Sequence, residues 1–121
     1  MAYLIDHFGS GILGSIFEGS VDMPERLKAI DALDKAIAVT DPKAILIDLS
    51  AANLAHYGAS DALSLAARIN QRERPFRKVA YVLRPHQTDM VAMVMSGIHG
   101  PDTFRRFSNR DDAIAWLKQA A

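Results

Sequence analysis

The sequence predicts an α/β domain whose strands and helices follow the order ββαβαβαβα. Two apolar runs, Ala44–Leu49 and Val79–Leu83, contain few polar residues, which is typical of parallel strands covered on both faces. Between and after these runs, apolar residues recur at helical spacing. Strands that alternate with helices favour parallel pairing through right-handed crossovers. We therefore expect a mostly parallel sheet preceded by an N-terminal hairpin, in one domain over residues 1–121.

The N-terminal hairpin is predicted from glycines between two extended segments. Tyr3–Phe8 and Ile12–Phe17 have strand character, and Gly9-Ser10-Gly11 lies between them. Glycine adopts a positive φ without steric cost, as tight reversals require. The same glycines begin the pattern G-x-G-x-x-G, which binds a dinucleotide only where a helix starts at the glycines. Because a second strand is expected here instead, we predict no cofactor.

The first two helices are predicted from their start signals. Asp22 followed by Glu25 forms a capping box, and Asp41-Pro42 ends the first helix. A loop is expected over Ser50–Ala59. The second helix is expected to begin near Ser60, with this serine as its N-cap.

The C-terminal third completes the alternation of strands and helices. A third helix is expected over Pro85–Met95 with Gly97 as its C-cap, and a short strand over Thr103–Phe107. The last helix is expected to start with a capping box of Ser108 and Asp111.

Composition and charge exclude several classes of function. The 14 basic and 14 acidic residues balance, whereas nucleic-acid binders usually carry a basic excess, so no nucleic-acid partner is expected. The absence of cysteine excludes disulfides, thiolate nucleophiles and cysteine-ligated metals. The N-terminus lacks the basic and apolar regions of a signal peptide, and the apolar stretch Met90–Met95 is far shorter than the ~20 residues that span a bilayer. We expect a cytoplasmic protein without a transmembrane segment.

No set of catalytic or metal-ligating residues is predicted. The 4 histidines are scattered and none has a partner at His-x-x-x-His spacing, so no metal site is expected. No G-x-S-x-G motif is present. Asp48 follows an apolar run, as in phospho-accepting receiver domains, but the acidic pair and the lysine that such domains need are missing. We therefore expect a protein that is not an enzyme.

Two groups of arginines occur in the C-terminal half of the sequence. One group lies within 68–77, and the other consists of Arg105, Arg106 and Arg110. Acidic residues are interspersed among them, so solvated faces are the ordinary explanation. An anion-binding role is the alternative.

Methionines are concentrated in the predicted third helix, which is apolar nearly all round. Met90 and Met93 share a face, while Met95 points elsewhere. Core packing is the ordinary explanation. The alternative is an apolar surface of Met90, Met93 and Val94 for a protein partner, an acyl ligand or a membrane surface, because methionine suits adaptable binding surfaces.

The order of several short motifs resembles the STAS domain family. Glu18-Gly19-Ser20-Val21-Asp22 before a helix resembles the start of STAS domains, as does "AILIDLS" at Ala44–Ser50 before a loop and helix. Ser96-Gly97-Ile98, the two phenylalanines of the last strand and "SNRDDAIAWL" resemble the last helix-strand-helix of the SpoIIAA-like branch, which is also likened to lipid-binding CRAL-TRIO domains. The resemblance covers nearly the whole chain and implies a βα superhelix with a regulatory, non-enzymatic role.

The resemblance also implies a partner and a switch. STAS proteins similar to anti-sigma-factor antagonists bind a kinase or anti-sigma partner, and phosphorylation of a serine or threonine at the start of the second helix releases it. Here Ser60 is the hydroxyl nearest that position, and it lacks the preceding acidic residue of the family pattern. Ser60 is therefore a weak candidate phosphoacceptor, with Ser50 and Ser64 weaker still.

Two functions remain open from the sequence. The first is a module that binds a protein partner through the 50–61 loop and the start of the second helix, with contact residues Asn53, His56, Tyr57, Ser60 and Asp61. The second is a carrier or sensor of a lipid-like small molecule, or a membrane-surface protein, that uses the methionine-rich third helix. An exposed first hairpin could also pair with a second copy through its edge, giving a homodimer.

Overall fold

A five-stranded sheet with its strands side by side in chain order forms the centre of the molecule. The computed structural model describes residues 3–54, 59–70 and 78–119. Strand β1 pairs antiparallel with β2, and the remaining neighbours pair in parallel. The strands are β1 Tyr3–His7, β2 Ile12–Val21, β3 Ala44–Leu54, β4 Lys78–Val82 and β5 Phe104–Phe107, and the helices are α1 Met23–Thr40, α2 Ala59–Asn70, α3 Met90–His99 and α4 Arg110–Lys118. The predicted order and the mostly parallel sheet are confirmed.

The hairpin between β1 and β2 is the tight reversal that its glycines predict. Gly9, Ser10 and Gly11 all have positive φ, at 76°, 53° and 75°. The chain then continues as strand β2, so no helix N-terminus forms at the glycines. The geometry that a dinucleotide requires is therefore not present at this motif.

Helix α1 begins as predicted, and α2 begins within one residue of the predicted start, whereas the predicted caps of α2 and α4 and the start of α3 differ. Asp22 Oδ1 accepts from the Glu25 amide at 3.0 Å, and Asp41 ends α1 in the left-handed region. Helix α2 already begins at Ala59, so Ser60 lies in its first turn and is not its N-cap. Asn109, and not Ser108, caps α4 by accepting from the Asp112 amide at 2.9 Å.

The predicted start and end of the third helix are wrong. A turn follows β4, in which the Gln87 amide donates to the Arg84 carbonyl at 3.0 Å and the Arg84 amide donates to Gln87 Oε1 at 2.9 Å. The helix starts only after Asp89, which accepts from the Ala92 amide. It continues through Gly97 to His99, because Gly100, with φ 81°, provides the C-cap.

Two apolar cores lie on opposite faces of the sheet. Helices α1, α2 and α3 cover one face and form the first core, which includes Leu13, Phe17, Ile30, Leu33, Ile45, Leu49, Leu65, Val79, Val91 and Met95. Helix α4 packs on the other face and forms the second core, which includes Ile12, Leu46, Val82, Ala113, Trp116 and Leu117. Adjacent residues of β3 enter opposite cores, so the strand is covered on both faces as its apolar sequence predicts.

No helix among residues 3–54, 59–70 and 78–119 is both long and apolar enough to cross a membrane.

Candidate functional site

Strand β3 extends five residues beyond the predicted strand end, through a bulge. In the pairing with β2, Ile16 lies opposite Asp48 and Glu18 lies opposite Ala51, so β3 contains one extra residue at this point. Residues Ala51–Leu54 then resume pairing with Glu18–Val21. The prediction of a loop from Ser50 is therefore wrong for 50–54, because the bulge lets an irregular sequence remain in the sheet.

Asp48 stabilises the bulge. Its side chain is buried, and Oδ1 accepts from the Ser50 amide at 3.0 Å and from the Ser50 hydroxyl at 2.6 Å. Oδ2 accepts from Arg110 Nε at 2.9 Å. The carboxylate therefore satisfies an amide beside the bulge and anchors the first turn of α4. Both of its oxygens are engaged, and this structural role accounts for an aspartate at the end of an apolar run.

Among the described strands, the extension of β3 has no neighbour on the β4 side, because β4 ends at Val82. Side chains from the segment after β4 replace that strand. Gln87 Nε2 donates to the carbonyls of Leu49 and Ala52 at 2.7 and 3.0 Å. The Arg84 guanidinium donates to the carbonyls of Ser50 and Ala52. These bonds hold the end of β3 that leads to α2.

Arg106 holds the same segment from the opposite side. Its Nη2 donates to the carbonyls of Arg84 and Gln87 at 2.6 and 2.7 Å, and to that of Pro85 at 3.4 Å. Arg106 thereby fixes the β4–α3 turn, and the turn fixes the end of β3. The carboxyl ends of β3, β4 and β5 thus form a connected polar edge of the sheet, which is where ligands bind in open α/β folds.

The predicted contact residues lie at this edge where the structure describes them. Asn53 is exposed on the extension of β3, and Ser60 and Asp61 are exposed in the first turn of α2. His56 and Tyr57 lie outside the described residues. Ser60 offers its carbonyl to the Ser64 hydroxyl at 3.0 Å, and its own side chain faces solvent.

Two of the three residues predicted for an apolar surface on α3 are exposed. Met90 and Met93 are 36% and 64% exposed, and Met95 is buried, as the helical spacing indicates. Val94 is half-buried and packs against the first core, so it does not belong to the surface. Ile98, at 58% exposure, was not predicted and adds to the apolar surface of this helix. Leu63, on the neighbouring α2, is also 58% exposed.

A buried ion pair and a small cavity lie beneath α1. Arg26 donates to both oxygens of Asp89 at 3.1 and 2.8 Å, and both residues are about 3% exposed. A cavity of about 30 Å³ beside Arg26 is lined otherwise by apolar residues and by Ser15 and Tyr81. The hydroxyl of Ser15 is buried and has no hydrogen-bond partner in the part of the chain that the structure describes. The cavity has room for about two water molecules, well below the ~300 Å³ of an ordinary ligand pocket.

The polar edge and the ion pair were not found by sequence reasoning. Gln87 was assigned to the third helix, Arg84 fell between the predicted strand and that helix, and Arg26 was given no role, because no local signal distinguishes an arginine that reaches across the fold. Only the concentration of arginines around 105–110 pointed towards this region.

The architecture is that of the SpoIIAA-like fold, as comparison with solved structures shows. An uncharacterised protein of the DUF3478 family with a SpoIIAA-like fold, from Shewanella loihica PV-4, aligns with a TM-score of 0.63 and 22% identity over 96% of this chain and 92% of its own. An anti-sigma factor antagonist from Mycobacterium paratuberculosis aligns with a TM-score of 0.61 and 22% identity over 97% and 93%. The anti-sigma factor antagonist SpoIIAA in its unphosphorylated form aligns with a TM-score of 0.62 and 11% identity over 98% and 99%.

Neither a family model nor a curated protein matches the chain. The comparisons with solved structures nevertheless confirm the fold that the sequence resemblance implied, a βα domain of the SpoIIAA type.

Proposed function

We propose that this protein is a non-enzymatic regulatory module that binds a protein partner, a kinase or an anti-sigma-like regulator, through the end of β3 and the start of α2. Two of the similar structures are anti-sigma factor antagonists, which favours a regulatory role for the same fold here. The observation that carries the proposal is the exposure of Asn53, Ser60 and Asp61 beside a strand end that side chains hold in place.

A binding surface of this kind benefits from rigid presentation. The extension of β3 is hydrogen-bonded to β2 on one side and to Arg84 and Gln87 on the other. Less conformational entropy is then lost on binding than for a free loop. Leu63, exposed one turn after Ser60, supplies an apolar contact on the same helix.

The surface is tested with a matched pair of leucine and valine variants. We expect Leu63→Asp to lose partner capture from a lysate of the source organism, and Val39→Asp, which changes an 85% exposed residue of α1, to retain it. The captured protein is identified by mass spectrometry and its affinity is remeasured by calorimetry. Equal affinity of both variants, at unchanged circular dichroism, would place the partner elsewhere.

Phosphorylation of Ser60 is the finer part of the proposal. The hydroxyl is exposed in the first turn of α2, where a phosphate would add about −1.5 to −2 charges to the binding surface. We expect Ser60→Glu to release the partner and Ser64→Glu, one turn further along the same helix, to leave it bound. Release by both variants, or by neither, would contradict a switch at Ser60.

A second function, association with a lipid-like ligand or a membrane surface, is supported by the exposure of Met90, Met93 and Ile98. The cavity beneath α1 is too small for an acyl chain, so this function would use the surface of α3. Co-sedimentation with anionic liposomes that is lost in Met93→Gln would support it. No co-sedimentation, and a native mass without bound lipid, would exclude it.

A further inference from the structure

The described arginines fall into two groups according to their partners. Four of the six form an ion pair with a carboxylate: Arg26 with Asp89, Arg68 with Asp31 and Asp34, Arg105 with Asp102, and Arg110 with Asp48. The guanidinium groups of Arg84 and Arg106, here called the arginine pair, donate only to backbone carbonyls among the described residues. Their charge is therefore not neutralised by an acidic side chain in the part of the chain that the structure describes.

The arginine pair is held in place but retains free donors. A guanidinium has five N–H groups and stays charged throughout the physiological pH range. Arg106 donates only through Nη2, and Arg84 only through Nη1 and Nη2, to described residues. Nε and Nη1 of Arg106 and Nε of Arg84 remain available. Both residues are exposed, so a ligand in solvent can reach them.

The position of the arginine pair also favours a negative ligand. Arg84 follows β4 and Arg106 lies near the end of β5, at the carboxyl edge of the parallel strands. Helices α3 and α4 start from this edge, which adds the positive ends of their dipoles. The nearest acidic side chain along the chain after Arg84 is Asp89, which Arg26 engages. Asp48, the buried acidic group of the polar edge, is engaged by Arg110. The exposed acids near this edge are Asp61, Asp111 and Asp112, in the first turns of α2 and α4, and none of them pairs with Arg84 or Arg106 among the described residues.

We infer that Arg84 and Arg106 form a binding site for a phosphate group. Carbonyl contacts orient both guanidinium groups in advance, and their remaining N–H groups suit the oxygens of a phosphate monoester, which arginine binds through paired hydrogen bonds. The site does not depend on the proposed protein partner. The phosphate could belong to a free ion, a nucleotide or a phosphorylated side chain, and these sources share the same chemistry.

The test is a titration of the full chain with inorganic phosphate at constant ionic strength, followed by nuclear magnetic resonance of the arginine Nε–H groups. We expect saturable shifts of the Arg84 and Arg106 signals, and no comparable shift when chloride replaces phosphate. Because this measurement uses the unmodified protein, it locates the site without any variant. Shifts confined to other arginines, or no saturation, would overturn the inference.

Variants then test the assignment. We expect Arg106→Gln to weaken phosphate binding by at least about tenfold, since hydrogen bonds to charged groups are lost. Arg105→Gln is the matched control, because this neighbouring side chain lies over Trp116 at 4.9 Å and pairs with Asp102. Unchanged affinity in Arg106→Gln, or an equal loss in Arg105→Gln, would contradict the site. Should Arg106→Gln fail to fold, Arg84→Gln takes its place.

The source of the phosphate is distinguished by comparing inorganic phosphate, O-phosphoserine and adenosine monophosphate on the unmodified protein. Tighter binding of O-phosphoserine indicates a phosphorylated chain, and tighter binding of the nucleotide indicates a nucleotide ligand. Equal affinities indicate phosphate itself. Each of these results supports the site, and binding of none of the three would overturn it.

Discussion

Gly14, in the second strand, lies so close to an aromatic ring that any larger side chain at this position would clash with it. Gly14 is buried in β2, and a Cβ placed on it would lie 2.1 Å from Cε2 of Phe8. The Phe8 ring packs against the second core and lies under the guanidinium of Arg110, whose Cζ is 5.6 Å from the ring centroid. Gly14 is therefore needed for close approach of a ring and not for backbone freedom.

We expect Gly14→Ala to lower the free energy of unfolding by about 1–3 kcal/mol, because the added methyl group displaces the Phe8 ring. The same change in a Phe8→Ala background should cost much less, since the space is then open. Gly97→Ala serves as the control, because nothing lies within 4 Å of its added Cβ, and alanine in a helix should stabilise by about 0.5–1 kcal/mol. Urea denaturation of the unmodified protein and of the four variants measures these costs, and equal costs of Gly14→Ala in both backgrounds would contradict the clash.

The buried carboxylate of Asp48 is the second residue whose role is local. Asp48→Ala leaves the Ser50 amide, the Ser50 hydroxyl and Arg110 Nε without their acceptor. We expect a loss of about 2 kcal/mol in the free energy of unfolding, since bonds to a charged acceptor are lost. Asp111→Ala removes an exposed acid from the first turn of α4, next to Arg110, and should change stability by less than about 0.5 kcal/mol. Similar losses for both variants in urea denaturation would show that Asp48 does not stabilise the bulge.

At the scale of the elements, the starts of helices depend on contacts that are distant in sequence. Asp89 caps the start of α3 by accepting from the Ala92 amide, and the same carboxylate accepts hydrogen bonds from Nη1 and Nη2 of Arg26 in α1. The ion pair therefore fixes where α3 starts relative to α1. Because both partners are buried, removing only one of them is costly, since the other charge is then left unpaired in the interior.

We expect Arg26→Met to lower the free energy of unfolding by about 3–5 kcal/mol, because it leaves the Asp89 carboxylate buried without its cation. The double variant Arg26→Met with Asp89→Asn should be more stable than Arg26→Met alone, since the unpaired charge is removed while an oxygen remains for the Ala92 amide. Thermal and urea denaturation of the single and double variants measure the difference. A double variant less stable than Arg26→Met would contradict the role of the buried charge.

Arg68 forms an ion pair near the surface, in contrast to the buried pair of Arg26 and Asp89. Its hydrogen bond to Asp31 raises the pKa of Arg68 above its ordinary value, and Asp34 raises it further, although partial burial opposes both. The charged form of Arg68 therefore stabilises the folded state at every pH below its unfolded pKa, and this stabilisation is lost only as the pH rises through the still higher folded pKa. Titration of Arg68 therefore causes no change in stability between pH 5 and 9. Because solvent reaches both partners, with the Arg68 side chain 36% and the Asp31 side chain 59% exposed, we expect Arg68→Gln to cost less than about 1 kcal/mol in urea denaturation. A loss as large as that of Arg26→Met would contradict this ranking.

The elements themselves follow from the sequence, and their ends follow only where a local signal exists. The positive φ values at Gly9–Gly11 and the cap at Asp22 are local, and both were predicted correctly. The extension of β3 to Leu54 was not predicted, because its stability comes from Gln87 and Arg84 more than 30 residues away. The polar edge was missed for the same reason. The spacing of apolar residues in a sequence indicates which side chains are buried. It does not indicate that Arg84 and Gln87 donate to backbone carbonyls on another strand.

At the scale of the whole molecule, one sheet separates two cores of unequal size. Three helices cover the first core, whereas α4 covers the second core among the described residues. Trp116 lies in the second core, where its ring is 5.5 Å from that of Phe107 and 4.6 Å from Lys78 Nζ. Trp116 is the one tryptophan of the chain, so its fluorescence reports on the α4 side, while far-ultraviolet circular dichroism reports on all helices.

We expect the two signals to show the same urea midpoint, because β3 and β4 supply alternate residues to both cores and neither core can lose its strands alone. Arg110, which joins the first turn of α4 to Asp48 in β3, couples the layers further. Arg110→Gln should lower both midpoints together. A fluorescence midpoint clearly below that of circular dichroism, in either protein, would mean that α4 leaves the sheet before the three helices on the opposite face unfold.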